Sequence, residues 1–556
     1  MSNSIHKSSY RKAKPITNDI HRHCHILFDE GLYINALDFL NNIVTTGTAT
    51  PIATTESENY DTISVFTPNP FHIELASILL IHPRYTNQAI FNEGYSEIAS
   101  RSLNFLRNIL HILGPIHANL VEAFSFSIIT KSNNILRDKK YNFIVDEGDE
   151  VYLNEDNLEE KKDLDLKCFI ANQGRTSKCA KDFWHVVGWS FNCSVRYPKR
   201  WKYLKIWLEY MLDVLEADFR ERERLESLGS SGKGSKETQD SQLLTQSIIS
   251  CFLSNSRGNS TIPRRIVKSI FANGDEDSLR TFPQIFPDEN KISKFSDRQQ
   301  FNVCKSQIFN EVFENEPNEF DMLSSFKLEK EEENKNLEAN NTSGSWMGGS
   351  EAIILRQRLI TLLSMVAKSF PKNFIELNDL LFLLYDYIRP LPIPIFTLFI
   401  SSSKSSCLSE TLYISLCQLI LSRLLPKSAP SPNAVIANVD FDDPRFFLVF
   451  QKCYLPFAAF TSISHDNALV SIILENLLRL LLRKHKNPYT HNLERALEDG
   501  IAAREEGIRQ HRKRRGGITT NCTIDIDGVL LKASSFRLRN LLTWLNETNE
   551  KKPGKK

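Results

Sequence analysis

The sequence predicts an all-α protein, and two observations carry the prediction. Apolar residues recur at three- and four-residue steps along most of the chain, whereas strand-like alternation is confined to Tyr141–Val145 and Cys522–Leu531. Four of the six tryptophans, Trp184, Trp189, Trp201 and Trp207, crowd into 181–224, a density of large rings that marks a well-packed structural brace. Helical pairs joined by variable loops over several hundred residues point to an irregular helical repeat, a HEAT- or armadillo-like α-solenoid. A large multi-helix domain is the competing architecture, because no fixed repeat period is present.

The clearest helix starts after Pro198. Leu204, Trp207, Leu208, Met211, Leu215 and Phe219 form its apolar stripe, and Lys202, Lys205, Glu209, Asp213, Glu216 and Arg220 its polar one. Asp182–Cys193 reads as its antiparallel partner across a turn at Ser194–Pro198. Toward the N-terminus, His21–Asn42 reads as two short helices around Gly31. Phe71–Ile81, Glu97–Leu113 and Ala118–Ile135 have helical spacing, followed by Ser241–Leu253 and Pro263–Ala272. Past residue 350, helices are expected at Glu351–Phe370, Leu377–Ile388, Leu408–Leu425 and Leu469–His485.

Between these lie segments of a different composition. Residues 146–165 are acidic, 228–241 (LGSSGKGSKETQDS) have linker composition, and 283–350 form an acidic, disordered linker. Within the last, Glu311–Glu338 carries ten acids against three lysines. The expected layout is therefore a disordered 1–18, a helical region 19–282, the linker 283–350, a helical region 351–500, and a basic helix end with a short element over 501–556.

Composition excludes several function classes. With 68 basic against 67 acidic residues, no whole-chain field points to nucleic acid or to a membrane surface. The ten cysteines contain no CxxC pair, which suits free thiols in a reducing compartment. The most apolar runs, Leu380–Ile400 and Leu469–Leu482, are broken by charges and prolines or too short, so both read as core helices rather than membrane spans.

Candidate motifs are weighed on their chemistry. Ile524-Asp525-Ile526-Asp527-Gly528-Val529-Leu530 resembles the first motif of haloacid-dehalogenase-type phosphatases. The resemblance implies Asp525 as nucleophile and Asp527 as proton donor. It covers about seven residues, and only 29 follow Asp527, so the string is read as a turn between short elements. GSSGKGS lacks the spacing of a phosphate-binding loop. His21, His23, Cys24 and His25 are the only cluster of soft metal ligands; without a second ligand pair nearby, they are read as an ordinary helix start. His185 and Cys193 are read as a packed histidine and a buried thiol rather than a nucleophilic pair. No catalytic residue, metal ligand or cofactor is assigned.

Basic residues carry the functional expectation. From Arg479 to Arg515, eleven basic residues face five acids. The run ends in Arg509, Arg512, Lys513, Arg514 and Arg515, a pattern that serves nuclear import or phosphate contact. Arg264 and Arg265 sit at a helix N-terminus, where the dipole disfavours positive charge, so an acidic partner is expected there, either external (phosphate or an acidic protein segment) or this chain's own acidic insert. The expectation is a non-enzymatic helical scaffold in a nuclear protein complex, with a cytoplasmic location as the alternative. It binds other proteins and no membrane or small-molecule substrate. The alternative function is a nucleic-acid-associated factor in chromosome maintenance or RNA processing that contacts phosphates through 479–515.

Overall fold

The computed structural model describes residues 10–46, 64–86, 93–126, 166–230, 242–253, 261–287, 289, 347–401, 406–485, 490–514 and 525–550. The described residues are mostly helical, as expected of an all-α chain. None of their helices is long and apolar enough to cross a membrane. The chain divides into two compact units, Met1–Ala352 with Lys372–Phe374, and Ile353–Pro371 with Ile375–Lys556.

The first unit opens on an element the sequence did not signal. Strand β1 (Ala13–Pro15) pairs in parallel with β2 (Val65–Thr67), with Lys14 opposite Phe66 and its ammonium 4.2 Å from that ring. Three-residue strands are too short to show alternation. They also place residues 10–18 in ordered structure, where a disordered terminus was expected. Helices α1 (Asn18–Asp29) and α2 (Tyr33–Thr46) follow, with Gly31 in the left-handed region (φ 74°) at the turn between them. Asn69 caps α3 (Pro70–Ile81) by accepting the Phe71 N–H at 2.9 Å. Helices α2 and α3 both pack on α4 (Glu93–Ile112).

The aromatic stretch folds as the expected pair. Helix α5 (Phe183–Arg196) starts at Asp182, whose carboxylate accepts the His185 N–H at 2.8 Å. Helix α6 (Pro198–Ser230) follows after Tyr197 alone, so the turn is tighter than the expected Ser194–Pro198. Every residue of α5 from Phe183 to Ser194 is buried. Such an all-round core helix needs partners on each side. It finds them in α6 and in α8 (Thr261–Ile270), which follows the short α7 (Ile248–Leu253). Gly188 is where Phe282 crosses α5: a Cβ there would lie 2.7 Å from each Cδ of the Phe282 ring and closer still to its Cγ.

Several boundaries differ from the expectation. Helix α6 runs to Ser230, into the segment read as a linker from 228, because its last turns carry the pairs Arg222–Asp218 and Arg224–Glu221. Ser241–Leu253 is two short helices, Gln242–Thr245 and α7. Residues 283–287 and 289, expected within the acidic linker, are part of the described fold. Phe286 is buried, and the Glu289 carboxylate, also buried, pairs with Arg200 and accepts the Ile285 and Phe286 N–H groups at 3.2 Å. The strand candidate Tyr141–Val145, the segment 146–165 and the acids Glu311–Glu338 lie outside the described residues.

The second unit starts within α10 (Gly349–Ser369), after the short α9 (Glu276–Thr281) of the first. Helix α11 (Leu377–Ile388) leads into α12 (Ile393–Phe399) and α13 (Glu410–Leu424); α11 packs on α13, and α12 and α13 pack on α14 (Ser464–Lys484), which is buried continuously from Asp466 to Leu478. Helix α15 (His491–Arg514) precedes α16 (Ile526–Glu550), which packs along α14. The strand expected over Cys522–Leu531 is corrected: from Ile526 the residues are helical, and Asp525 caps that helix by accepting the Gly528 N–H at 2.9 Å. Alternation across a helix cap imitates a strand for a few residues.

Two stability predictions follow from the α5 core. Gly188→Ala should destabilise the first unit by about 1–3 kcal/mol through overpacking against Phe282, and Trp207→Ala by roughly 3–5 kcal/mol, because the ring is buried; denaturant titration checks both. A third concerns acid. Burial lowers the pKa of His82 to about 4, helped by Arg200 and Arg84, and holds His72 well below the usual histidine range. The unfolded chain takes up protons below about pH 6.5 while these folded rings stay neutral, so stability falls as pH drops from there toward 4. His82 alone contributes a loss of about 3 kcal/mol over that window. His82→Phe should flatten the pH profile of denaturation midpoints.

Candidate functional site

The four tryptophans expected to form a brace lie in the α5–α6 pair. Trp184, Trp189, Trp201 and Trp207 are all buried. Trp184 donates its indole N–H to the Phe252 carbonyl at 3.1 Å and Trp207 donates to Ser77 Oγ at 2.8 Å. Both tie α5 and α6 to neighbouring elements. His185 and Cys193 do not meet: eight residues along one helix separate them by about 12 Å. His185 accepts from the Lys181 N–H at 3.1 Å and lies 2.9 Å from the Pro283 carbonyl, and burial pushes the Cys193 thiol well up.

Of the two arginines at the start of α8, Arg265 donates to Asp182 at 2.7 Å, the same carboxylate that caps α5. Its acidic partner is therefore within the fold and outside the linker. Arg264 is exposed.

The basic segment splits into two kinds of residue. Arg504 is completely buried: its Nη1 donates to the Leu455 and Phe457 carbonyls at 3.2 and 3.0 Å. Leu455 is the C-cap of the π-helical turn Phe450–Tyr454 and Phe457 lies two residues beyond it, and Gly500, one turn before Arg504 on α15, lets the Leu455 carbonyl approach. Desolvation pulls the Arg504 pKa down to about 10. Arg504 is a structural plug, whereas Arg495 and Arg509 on the same helix are exposed, Arg509 pairing with Glu506 at 3.3 Å. The helix backbone continues through Arg514, carrying Arg512, Lys513 and Arg514; Arg515 lies outside the described residues.

Asp525 and Asp527 stand at the head of α16. Besides capping the helix, Asp525 accepts from Ser464 Oγ at 2.9 Å, and Asp527 meets His465 Nδ1 at 3.1 Å. Residues 515–524, just before them, lie outside the described residues. The expected turn between short elements is corrected to the cap of a 25-residue helix.

Helix α16 also carries the feature that sequence reading missed. Its inner face buries Leu531, Ser534, Leu538, Leu542 and Leu545. Its outer face leaves Ile526, Val529, Phe536 and Trp544 exposed at 62, 55, 64 and 56%. Steps of three, seven and eight residues keep the four on one stripe. Beside the stripe, Leu530 and Arg537 line a cleft with Pro394, Leu398, Ile472 and Arg479. Its charge is organised by Glu475, a carboxylate buried on α14. Arg479 pairs with Glu475 at 2.7 Å, Arg537 donates to it at 2.7 Å and Ser534 Oγ donates at 2.8 Å. Both guanidiniums stay about a third or more exposed. Two cations over one buried carboxylate leave the cleft wall positive, with donors available to a ligand. The only sequence sign was the periodicity of Ile526–Trp544, which does not tell an inward apolar face from an outward one.

Comparison with protein-family models, with curated proteins and with solved structures finds no match to this chain. The reading of the site therefore rests on its own geometry.

Glu475→Ala would leave Arg479, Arg537 and Ser534 without their shared acceptor. A loss of about 2–4 kcal/mol from the second unit is expected, since removing one partner of a buried ion pair strands the others. Glu475→Gln, which keeps an acceptor, should cost clearly less in the same denaturation experiment.

Proposed function

We propose that this chain is a non-enzymatic α-helical scaffold that docks an amphipathic, acidic helix of another protein on α16. The single observation that carries the reading is the exposed stripe Ile526, Val529, Phe536 and Trp544. Phe and Trp side chains that a stable helix leaves in water are typical anchors of binding energy. An apolar stripe bordered by a cleft suits recognition of a second helix through residues at helical spacing. Arg479 and Arg537 select for acid on that partner and against basic segments.

In this reading the helical pairs form a solenoid-like support, the Trp brace keeps the first unit rigid, and the chain acts as a subunit of a nuclear complex. Arg509, Arg512, Lys513, Arg514 and Arg515 supply import. The burial of Arg504 and the pairing of Arg509 weaken the alternative of phosphate contact along the whole of 479–515, because fewer cations remain for nucleic acid.

Affinity purification with and without nuclease tests the reading. Phe536→Asp with Trp544→Asp should leave the helical content unchanged and remove the bound partner, at a cost of about 2 kcal/mol or more per anchor. The partner should persist after nuclease. Loss on nuclease treatment, with the double variant binding as before, would favour the nucleic-acid reading. Replacing Arg512–Arg515 with alanine should shift the tagged protein from nucleus to cytoplasm without affecting partner capture.

A further inference from the structure

The soft-ligand cluster at the N-terminus gains from the fold the ligand that the sequence lacked. His21 and His25 lie one turn apart on α1, so their rings share a face, with centroids 4.2 Å apart. From α3, some fifty residues on, His72 enters the same space: its ring centroid is 5.1 Å from that of His21 and 5.1 Å from that of His25. One ligand nitrogen from each of the three lies within 4.8 Å of the others. His23 does not join them, since its ring packs edge-on against Phe39 at 5.0 Å.

His72 points to what the cluster is for. It is completely buried, and neither of its ring nitrogens has a hydrogen-bond partner. Stacking on Phe28 at 5.6 Å accounts for the placement of the ring but satisfies neither nitrogen. A buried polar group in a stable helix is ordinarily bonded, and each exception asks for a reason. His25 Nε2 is also out of solvent. Burial lowers the pKa values of His21 and His72, which keeps both rings in the neutral form that binds metals.

We propose that His21, His25 and His72 bind one divalent transition-metal cation of the zinc type, clipping α1 to α3. Imidazole ligands select zinc and its neighbours over magnesium or calcium. A tetrahedral ion with bonds near 2.0–2.1 Å places its ligand nitrogens about 3.3 Å apart. From separations of up to 4.8 Å the ligand nitrogens therefore close by up to about 1.5 Å on binding, through rotation of the side chains, and a water completes the shell. The ion supplies the missing partner of His72 and holds the N-terminal helix against the core of its unit.

The test uses the full chain stripped of metal. Isothermal titration with Zn²⁺ should show a one-to-one step, and the melting temperature should rise with bound zinc. Co²⁺ should give visible ligand-field bands without a sulfur-to-cobalt charge-transfer band. His25→Ala and His21→Ala should remove the step and the shift in melting temperature, and His23→Ala should keep both. His72→Gln should do as His25→Ala does; if it fails to fold, the His21 and His25 variants decide. The proposal is overturned by absence of saturable zinc binding to the wild-type chain. Binding that survives His21→Ala and His25→Ala overturns it equally, as does a thiolate charge-transfer band, which would place the ion on cysteine.

Discussion

The first unit depends on one crowded crossing, that of Phe282 over Gly188 at the centre of α5. A helix buried on every side can be approached closely only where a side chain is missing, and Gly188 provides that position. The crossing is locked one turn further on by Asn192. Its amide donates to the Ser278 and Phe282 carbonyls at 3.2 and 3.1 Å, and its oxygen accepts from the Gly274 N–H at 2.9 Å and Ser278 Oγ at 2.6 Å. A buried asparagine with all these bonds made is far better than neutral, because each unmade bond would cost the full desolvation of its group. The tryptophans add area around a contact whose geometry is set by a glycine and an asparagine.

The second unit has a polar centre of a comparable kind in Glu475. There, however, the groups that satisfy the buried carboxylate also reach the surface. Arg479 and Arg537 bind it from one side and present their remaining donors to the cleft, so the packing of α14 against α16 also fixes the charge beside the exposed stripe. Arg504 shows the opposite outcome for the same residue type. The carbonyls of Leu455 and Phe457, in the segment that follows a π-helical turn, take its guanidinium in the interior, away from the surface.

Much of the fold was legible from periodicity. Leu377–Ile388 appears with the expected ends, the pair around Gly31 forms, and the stripe from Leu204 to Phe219 is buried as its spacing implied. What periodicity cannot carry was missed for physical reasons. The β1–β2 pair is too short to alternate visibly, and Asp525 at a helix cap looks like the end of a strand. The sites suffered most, because each depends on a distant residue: Asp182 for Arg265, Leu455 for Arg504, and His72 for His21 and His25. Sequence spacing offers no second ligand set near His21 and His25, and only the fold brings His72 beside them from α3.

The proposed docking role rests on the apolar stripe that α16 leaves in water, Ile526, Val529, Phe536 and Trp544. The most direct measurement places a photo-cross-linking phenylalanine analogue at position 536 of the full chain in cells, with the same analogue at the exposed position 382 of α11 as control. Cross-links from 536 alone, joining one recurrent partner through a segment rich in acid and apolar residues at helical spacing, are the predicted result. Cross-links that are absent, or the same from 536 and 382, would contradict it.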